Sequence, residues 1–154
     1  MGEWEDIKIE EIMHELDDPP PVVNKNDLIE DLAQVVVKSN FKRSLYVVDD
    51  EGKLVGIVML HKLLKHLLHG RYDNLPVTGF RARYIIDTLF STVASDIMKK
   101  DVIYLKKDDS VEKAIKLMLQ EGLKDVPVVD DELRVIGYVD IPTIMKFILE
   151  HQLY

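Results

Sequence analysis

Apolar residues recur at three- and four-residue steps in two separate stretches of the chain, which is the pattern of an amphipathic helix. The first stretch follows Asp27 and the second follows Asp109, and each aspartate has a glutamate three residues further on. This is the spacing of a capping box, with Asp in place of Ser or Thr. We therefore predict that a helix begins at each aspartate and that Gly122 ends the second helix in a left-handed conformation.

Short β-rich runs surround these helices. The runs "LYVV" and "KLVGIVM" flank the turn "DDEG", and the runs "VPVV" and "RVIGYVD" flank the turn "DDEL", which predicts two hairpins. Brief strands at "PVV" and "DVIYL" precede the capped helices, and the apolar-periodic segments "LHKLLKHLLH" and "IPTIMKFILEHQL" follow the hairpins. The predicted order is β-α-β-β-α, twice, in an α+β fold.

The two halves are copies of one another. Between positions 45 and 58, a constant offset of 81 gives seven identities in fourteen positions, including Asp49, Asp50 and Gly56, where chance would give about one. We divide the chain into a first repeat with the N-terminal segment (1–69), a connector with a short helix (70–92) and a second repeat (93–154). A unit of about 60 residues is marginally stable alone, so the copies are expected to share one core as one pseudo-symmetric module.

Composition narrows the range of functions. The 154 residues carry a net charge of −8 and no cysteine, and no long Lys/Arg run offers a basic face to nucleic acid. No run of eighteen apolar residues is present, and the acidic start "MGEWEDIKIE" is unlike a signal peptide. We expect a cytoplasmic protein with neither a nucleic acid nor a membrane as its partner.

The order "DIM", short strand, capped helix, "VPVVDD" and "VIGYV" resembles the cystathionine-β-synthase (CBS) domain, and two in tandem resemble a Bateman module. The resemblance covers roughly residues 8–69 and 93–150. It implies a regulatory, sensory unit that binds an adenine nucleotide or adenosyl compound, such as AMP, ADP, ATP or S-adenosylmethionine, in a cleft between the repeats. Such a unit is not an enzyme and needs no cofactor.

The resemblance also implies where ribose would bind. The family often carries Gly-h-h-Ser/Thr-x-x-Asp, with h apolar, at the end of the last strand. The first copy has Met59 and Lys62 at the two polar positions, whereas the second has Asp140 and Thr143, an acid and a hydroxyl in exchanged places. Asp140 is more typical of a cap for the helix that Pro142 helps to start, because Asp before a Pro-containing first turn is a common arrangement, and both roles can hold at once.

Further ligand positions follow from the same resemblance. Apolar residues that match those flanking an adenine are Val102, Ile103, Val126 and Pro127, and plain core residues would look the same. Cations placed to bind phosphate are Lys124, Lys42 and Arg43, although lone cations are more often solvated.

Histidines and arginines elsewhere in the sequence could form other kinds of site. His61, His66 and His69 lie on one predicted helix, but no carboxylate or thiolate joins them at ligand spacing, so no metal ligand is assigned. The connector carries Arg71, Arg81 and Arg83, for which salt bridges with the many acidic residues are the simplest use.

Three alternative functions of other classes remain. A ligand-free docking or scaffold module is favoured by the missing ribose motif, and a divalent-metal sensor rests only on the histidines and acidic turns. An enzyme is disfavoured, because no catalytic set, phosphate loop or cofactor fingerprint is present.

Apolar late helices also predict a symmetric homodimer, and a regulated protein is a further expected partner. The dimer interface is expected to bury Leu64, Ile144, Met145 and Ile148.

Overall fold

A computed structural model describes residues 3–16, 21–39, 44–68 and 92–153. The chain forms two compact units. The second-repeat unit comprises the described parts of 1–20, 52–54 and 102–154, and the first-repeat unit comprises those of 21–51 and 55–101. Each unit is an α+β structure built around one copy of the repeated sequence.

The helices are α1 (Glu3–Asp6), α2 (Ile29–Ser39), α3 (Leu60–Leu67), α4 (Ala94–Ile97), α5 (Val111–Glu121) and α6 (Ile141–Glu150), with a 3-10 turn at Ile9–Glu11. The strands are β1 (His14–Glu15), β2 (Val22–Asn24), β3 (Leu45–Val48), β4 (Leu54–Val58), β5 (Leu105–Lys106), β6 (Asp125–Val129) and β7 (Val135–Asp140).

Each unit contains one sheet. The sheet of the second-repeat unit has the order β1-β7-β6-β5, in which β7 pairs antiparallel with both β1 and β6, and β5 pairs parallel with β6. The other sheet has the order β2-β3-β4, with β2 parallel to β3. The predicted fold class of two α+β repeats is therefore confirmed.

The turn between β6 and β7 shows why an aspartate stands at the start of the turn. Asp130 Oδ1 accepts hydrogen bonds from the backbone N–H groups of Glu132 and Arg134, both at 2.9 Å. These bonds favour the charged carboxylate and lower the pKa of Asp130, the bond from Arg134 most strongly. The aspartate thus closes the hairpin that the sequence predicted.

Among the described residues, the buried apolar side chains form two clusters, one in each unit, and the core shared by both repeats remains a prediction. One cluster includes Leu105, Val126, Val139 and Phe147, and the other includes Leu32, Val47, Val58 and Leu63. Each cluster lies between the sheet and the helices of its own unit. None of the helices in the described part of the chain is both long and apolar enough to span a bilayer.

The segments that precede each repeat are exchanged between the units. Ile9 N donates to Asp109 O at 2.8 Å and Val111 N donates to Ile7 O at 2.9 Å, so the N-terminal segment belongs to the second-repeat unit. Residues 92–101 are held in the first-repeat unit in the same way, because Ala94 N donates to Asp27 O at 2.9 Å. The sequence boundaries at 69 and 93 remain a prediction about the repeats, and they do not coincide with the compact units.

The predicted helix starts at Asp27 and Asp109 are displaced. Ser110, not Asp109, is the N-cap of α5, and its Oγ accepts from Lys113 N at 3.2 Å. Asp109 instead accepts from Lys106 N at 2.8 Å and so closes the turn before the helix, as Asp27 does with Asn24 N at 2.9 Å. The predicted end at Gly122 is confirmed by its left-handed conformation, with φ of 65°.

Candidate functional site

Asp140 ends β7 and is the N-cap of α6. Its Oδ1 accepts from Thr143 N at 3.0 Å and from Thr143 Oγ1 at 2.6 Å, and Pro142 lies in the first turn of the helix. The predicted cap is therefore confirmed. The same two residues were predicted to bind ribose, and the fold places their carboxylate and hydroxyl in direct contact.

His14, on β1, is the third polar group at this place. Its Nε2 lies 2.5 Å from Thr143 Oγ1 and 3.7 Å from Asp140 Oδ1. Its ring stacks on Tyr138, with the centroids 5.1 Å apart and the planes inclined by 27°. The His14 side chain is 48% exposed and that of Asp140 is 14% exposed, so the cluster is half-buried and reachable from solvent.

Gly137 allows β1 to lie close to β7. His14 pairs with Tyr138, and Glu15 pairs with Gly137, along the antiparallel β1–β7 ladder. A Cβ atom on Gly137 would collide with the backbone carbonyl oxygen of His14. Only glycine therefore permits β1 to lie where it brings His14 to Thr143.

The register of β6 against β7 separates core positions from site positions. Val126 lies opposite Val139, and both side chains belong to the core of the unit. Since side chains alternate along a strand, the other face carries Pro127 opposite Tyr138, with Asp125 opposite Asp140. Asp125 is only 7% exposed.

The same register places the side chains of the two predicted base-flanking residues of β6 on opposite faces of the sheet. The Val126 side chain is committed to the core, whereas Pro127 is buried on the face that carries Tyr138 and Asp140. Of these two residues, only Pro127 has its side chain on the site face.

The remaining predicted ligand residues lie in three different settings. Val102 and Ile103 are half-buried and precede β5, which is shorter than the predicted strand "DVIYL". Lys124 is exposed, and its backbone carbonyl accepts from Ile141 N at 3.1 Å. Lys42 and Arg43 lie outside the described residues. A role for any of them in ligand binding remains a prediction.

The equivalent place in the first-repeat unit has different chemistry. Lys99 exchanges two backbone hydrogen bonds with Ile57, at 2.8 and 3.0 Å, as a counterpart of the β1–β7 pairing. Met59 is the N-cap of α3 but makes no side-chain capping bond, and Lys62 is exposed. No carboxylate replaces Asp140 here, as the sequence predicted.

The histidines do not form a metal site in the part of the chain that is described. His66 is 2% exposed and its Nδ1 lies 2.9 Å from the Lys62 carbonyl oxygen within α3, whereas His61 is exposed. His69 falls outside the described ranges, as do the connector arginines Arg71, Arg81 and Arg83. Among the described residues, no three His, Asp or Glu side chains converge as metal ligands would.

Sequence reasoning missed His14. The repeat aligns Met13 with Met98, so His14 corresponds to Lys99, but the N-terminal segment was assigned to the first repeat. In space it joins the second, where His14 meets a residue 129 positions away. Backward extension of the repeat could have revealed it, had each leading segment been paired with the opposite copy.

Two α+β repeats, each ending its last strand at the start of a helix and each completed by the leading segment of the other, define the class of a tandem-repeat module. The CBS domain family matches residues 9–69 and 94–150. The chain belongs to the CBS domain family.

Relatives and solved structures agree with this assignment. An uncharacterized protein of Methanocaldococcus jannaschii is 32% identical over 126 residues, which is 82% of this chain and 42% of that protein. A second uncharacterized protein of that organism is 30% identical over 137 residues, 79% of this chain and 80% of the relative. The chain thus spans less than half of the first relative and most of the second.

Among solved structures, CBSX2 in complex with AMP has a TM-score of 0.72 at 21% identity and covers 95% of this chain and 98% of its own. CBSX2 is a CBS-pair protein of Arabidopsis thaliana. The CBS domain pair of protein MJ0100, in complex with 5′-methylthioadenosine and S-adenosyl-L-methionine, has a TM-score of 0.67 at 25% identity and covers 94% of this chain and 97% of that one.

Proposed function

We propose that this chain is a regulatory module that binds an adenosyl compound through its second-repeat unit. The observation that carries the proposal is the Asp140–Thr143 pair at the junction of β7 and α6, where a carboxylate and a hydroxyl meet at 2.6 Å. The domain pair of MJ0100, a structure of the same family, supports an adenosyl ligand of this kind. The candidate ligands are AMP, ADP, ATP and S-adenosylmethionine.

The capping role of Asp140 is compatible with ligand binding. The two printed bonds of the cap both run from Thr143 to Oδ1 of the carboxylate. Ribose hydroxyls are donors that suit a carboxylate acceptor, and hydrogen bonds to charged groups are the stronger kind. We expect Asp140 to serve the helix and a ligand together.

A module of this kind regulates without catalysing. A ligand shifts a conformational equilibrium only as far as its affinities for the two states differ. Because Asp140 both caps α6 and would contact ribose, ligand binding would act directly on the start of that helix. A regulated protein that senses α6 is the partner this proposal implies.

The test compares Asp140→Ala with Met59→Ala, its matched control at the equivalent position of the first-repeat unit. Saturating ligand should raise the melting temperature of the wild type by roughly 5–11 °C. Loss of Asp140 should weaken binding by about ten- to a hundredfold, whereas loss of Met59 should do much less. The measurement is a thermal-shift titration with AMP and S-adenosylmethionine.

The two roles of Asp140 give different results in this experiment. Loss of the cap alone costs about 0.5–2 kcal/mol of stability with or without ligand. An Asp140→Ala protein that melts earlier but keeps the full ligand-induced shift would contradict the ribose assignment.

We further propose a homodimer through the late helices, with a corrected interface. Ile144 is 7% exposed and belongs to the core of its own unit, so it offers little surface to a partner, whereas Ile148 packs against that core and is half-buried. Exposed apolar residues on these helices include Leu64 on α3, at 59%, and Met145 and Leu149 on α6, at 58% and 65%. Their exposure supports self-association through each of these helices.

Light scattering at micromolar concentration should give twice the chain mass of 17.8 kDa. Met145→Lys should convert the dimer to a monomer, because a charge would be buried at the interface. Leu119→Lys is the control, since Leu119 is 79% exposed on α5 and lies outside the proposed surface. A wild type of 17.8 kDa would rule out the dimer.

A docking or scaffold function is the second candidate, and one observation favours it. Val37 on α2 and Leu119 on α5, which correspond in the repeat, are 80% and 79% exposed. The thermal-shift test separates the candidates, because a docking module would show no shift with any adenosyl compound.

A further inference from the structure

We propose that Met98 is an oxidation site, and that conversion of its thioether to the sulfoxide loosens the backbone pairing of Lys99 with Ile57 at the end of β4. The oxidant belongs to the peroxide class. The change takes place in the first-repeat unit and needs no adenosyl ligand, so it stands independently of the proposed function. Its consequence is a module whose structure responds to the redox conditions around it.

The Met98 side chain lies against the backbone of β4. Met98 directly follows α4, and its side chain packs against the apolar cluster of the first-repeat unit. A Cβ atom built on Gly56 would collide with Met98 Sδ and would lie 2.7 Å from Met98 Cγ. The thioether therefore takes the space that a side chain at position 56 would fill. Since Met98 is only half-buried, a small oxidant can reach the residue from solvent.

The backbone pair beside this thioether lies one residue away in both segments. Lys99 N donates to Ile57 O at 2.8 Å, and Ile57 N donates to Lys99 O at 3.0 Å. This isolated bridge joins the segment 92–101 to β4. Lys99 directly follows Met98, and Ile57 directly follows Gly56. A displacement of the Met98 side chain from Gly56 thus removes the packing beside both hydrogen bonds.

The oxidation is a two-electron transfer of oxygen to sulfur. With hydrogen peroxide, the thioether sulfur attacks one peroxide oxygen, so that an S–O bond forms and the O–O bond breaks. The hydroxide that leaves takes the proton of the transferred oxygen, and the products are one sulfoxide and one water. The sulfur gives up two electrons and the peroxide accepts them.

The sulfoxide does not suit the place that the thioether occupies. Oxidation converts a flexible apolar side chain into a polar one. A polar group in an apolar cluster costs free energy unless it is hydrogen-bonded. The oxidised Met98 should therefore turn toward water and leave the Gly56 backbone uncovered. The two hydrogen bonds between Lys99 and Ile57 should then open more often, because fewer apolar contacts keep them closed.

Sulfur oxidation in this chain falls on methionine, because the sequence has six methionines and no cysteine. Met59 is 56% exposed, so it is open to the oxidant, but its side chain does not cap α3 and its oxidation should leave the fold unchanged. Met118 is 6% exposed in the core of the second-repeat unit, where an oxidant has little access. The half-buried Met98 combines access with a contact that supports backbone pairing.

Met13 is the counterpart of Met98 in the repeat, and its contact with the strand glycine is less close. The atom nearest to a Cβ built on Gly137 is the backbone carbonyl oxygen of His14, whereas Met13 Sδ would lie 3.4 Å away. The backbone of β1 is also held by a ladder of two residue pairs, where Lys99 forms an isolated bridge. Oxidation of Met13 should therefore have a smaller effect than oxidation of Met98.

The experiment treats the protein with increasing hydrogen peroxide and maps the oxidation of each methionine by peptide mass spectrometry. Hydrogen exchange at the amides of Ile57 and Lys99 is followed by NMR in the same samples. Exchange at both amides should become roughly tenfold faster or more as Met98 is converted. The Ala94 amide, which donates to Asp27 O at the other end of the same segment, should change less.

Two substitutions at position 98 separate the chemistry of the sulfur from the shape of the side chain. Met98→Leu keeps an apolar side chain of similar volume but cannot be oxidised, so peroxide should leave exchange at Ile57 and Lys99 unchanged. Met98→Gln places a polar group there and should show fast exchange without peroxide. Met59→Leu is the matched control, because it removes an exposed thioether and should respond to peroxide as the wild type does.

The reverse reaction distinguishes a switch from damage. Methionine sulfoxide reductases for both sulfoxide epimers, supplied with a thiol reductant, should return the exchange rates to their starting values. Rates that stay fast after Met98 has been reduced would indicate irreversible damage and overturn the proposal.

Three further results would also overturn it. The first is a wild type in which Met98 is fully converted while exchange at Ile57 and Lys99 keeps its original rate. The second is a Met98→Leu protein that responds to peroxide as strongly as the wild type. The third is a sample in which Met59 is fully oxidised and Met98 has not reacted.

Discussion

The ends of β4 and β7 occupy equivalent positions in the two units but carry different side chains at three corresponding positions. Both strands contain a glycine, Gly56 or Gly137, and both are paired with the segment that leads the opposite repeat. Both units thus keep the glycine and the backbone pairing at this strand. Where the second-repeat unit has His14, Asp140 and Thr143, the first-repeat unit has Lys99, Met59 and Lys62.

Features present in both units belong to the fold, and features present in one unit belong to its candidate site. The fold requires the glycines and the backbone pairing, because these are retained twice. The polar triad is present once, so the fold does not require it. This difference is the reason to look for ligand chemistry in one unit and to use the other as an internal control.

The largest expected effect comes from a substitution that disrupts the pairing of β1 with β7. Gly137→Ala should cost about 2–3 kcal/mol of unfolding free energy, because the new Cβ meets the rigid backbone carbonyl of His14. Gly56→Ala should cost about 1 kcal/mol or less, because its Cβ meets the flexible side chain of Met98, whose Cγ lies 2.7 Å away. Urea denaturation of the two variants measures the difference, and equal losses would contradict the explanation.

A smaller effect should follow from making the units more alike. Met59→Asp gives α3 the N-cap that α6 has in Asp140, and Met59 is 56% exposed, so the change buries no charge. The expected result is a gain of about 0.5–1 kcal/mol in unfolding free energy. Met59→Asn should give much of the gain, whereas Met59→Ala should give none, and a loss of stability in Met59→Asp would refute the equivalence.

The smallest effect concerns the leading segments and depends on pH. Asp96 Oδ2 accepts from Thr92 N at 2.9 Å and from Val93 N at 3.1 Å. These bonds, the one from Thr92 most strongly, hold the pKa of Asp96 below its ordinary value, although burial acts in the opposite direction. Its counterpart in the repeat is Glu11, which accepts from Lys8 N at 2.7 Å.

Because the folded pKa of Asp96 lies below the unfolded one, its stabilisation is fully present above the unfolded pKa of about 3.9. It is lost as the pH falls below that value through the folded pKa. Asp96→Asn should therefore cost less than about 1 kcal/mol at pH 7, since the carboxylate is exposed, and the cost should be smaller at about pH 2.5. A difference from the wild type that stays constant between these two pH values would exclude this carboxylate as the cause.

Local features were predictable from the sequence. The duplicated pattern gave the order of helices and strands, and the caps at Gly122 and Asp140 were found because their partners lie within a few residues. It was harder to predict which of two adjacent residues caps a helix. Asp109 and Ser110 are both good caps, and the structure uses Ser110 because the Asp109 carboxylate bonds to Lys106 N.

The pairing of strands and segments that lie far apart in the sequence could not be predicted from local patterns. The apolar run "DVIYL" suggested a longer strand, but β5 is limited to Leu105 and Lys106, which pair with Val128 and Val129. His14 could not be assigned to the site for the same reason, since its contact depends on which unit the N-terminal segment joins. The polar pair itself was found, because it lies within one turn of a helix.

The exchange of leading segments also has a consequence for how the protein is made. His14 leaves the ribosome long before Thr143, which is 129 residues later and takes roughly 6–26 s more at ordinary rates of synthesis. During this time the N-terminal segment has no partner strand, whereas the first-repeat unit can close as soon as residues 92–101 emerge. The N-terminal segment is acidic and ends in the exposed pair His14–Glu15. Because like charges repel, this composition disfavours premature pairing with other nascent chains in the interval before β7 is synthesised.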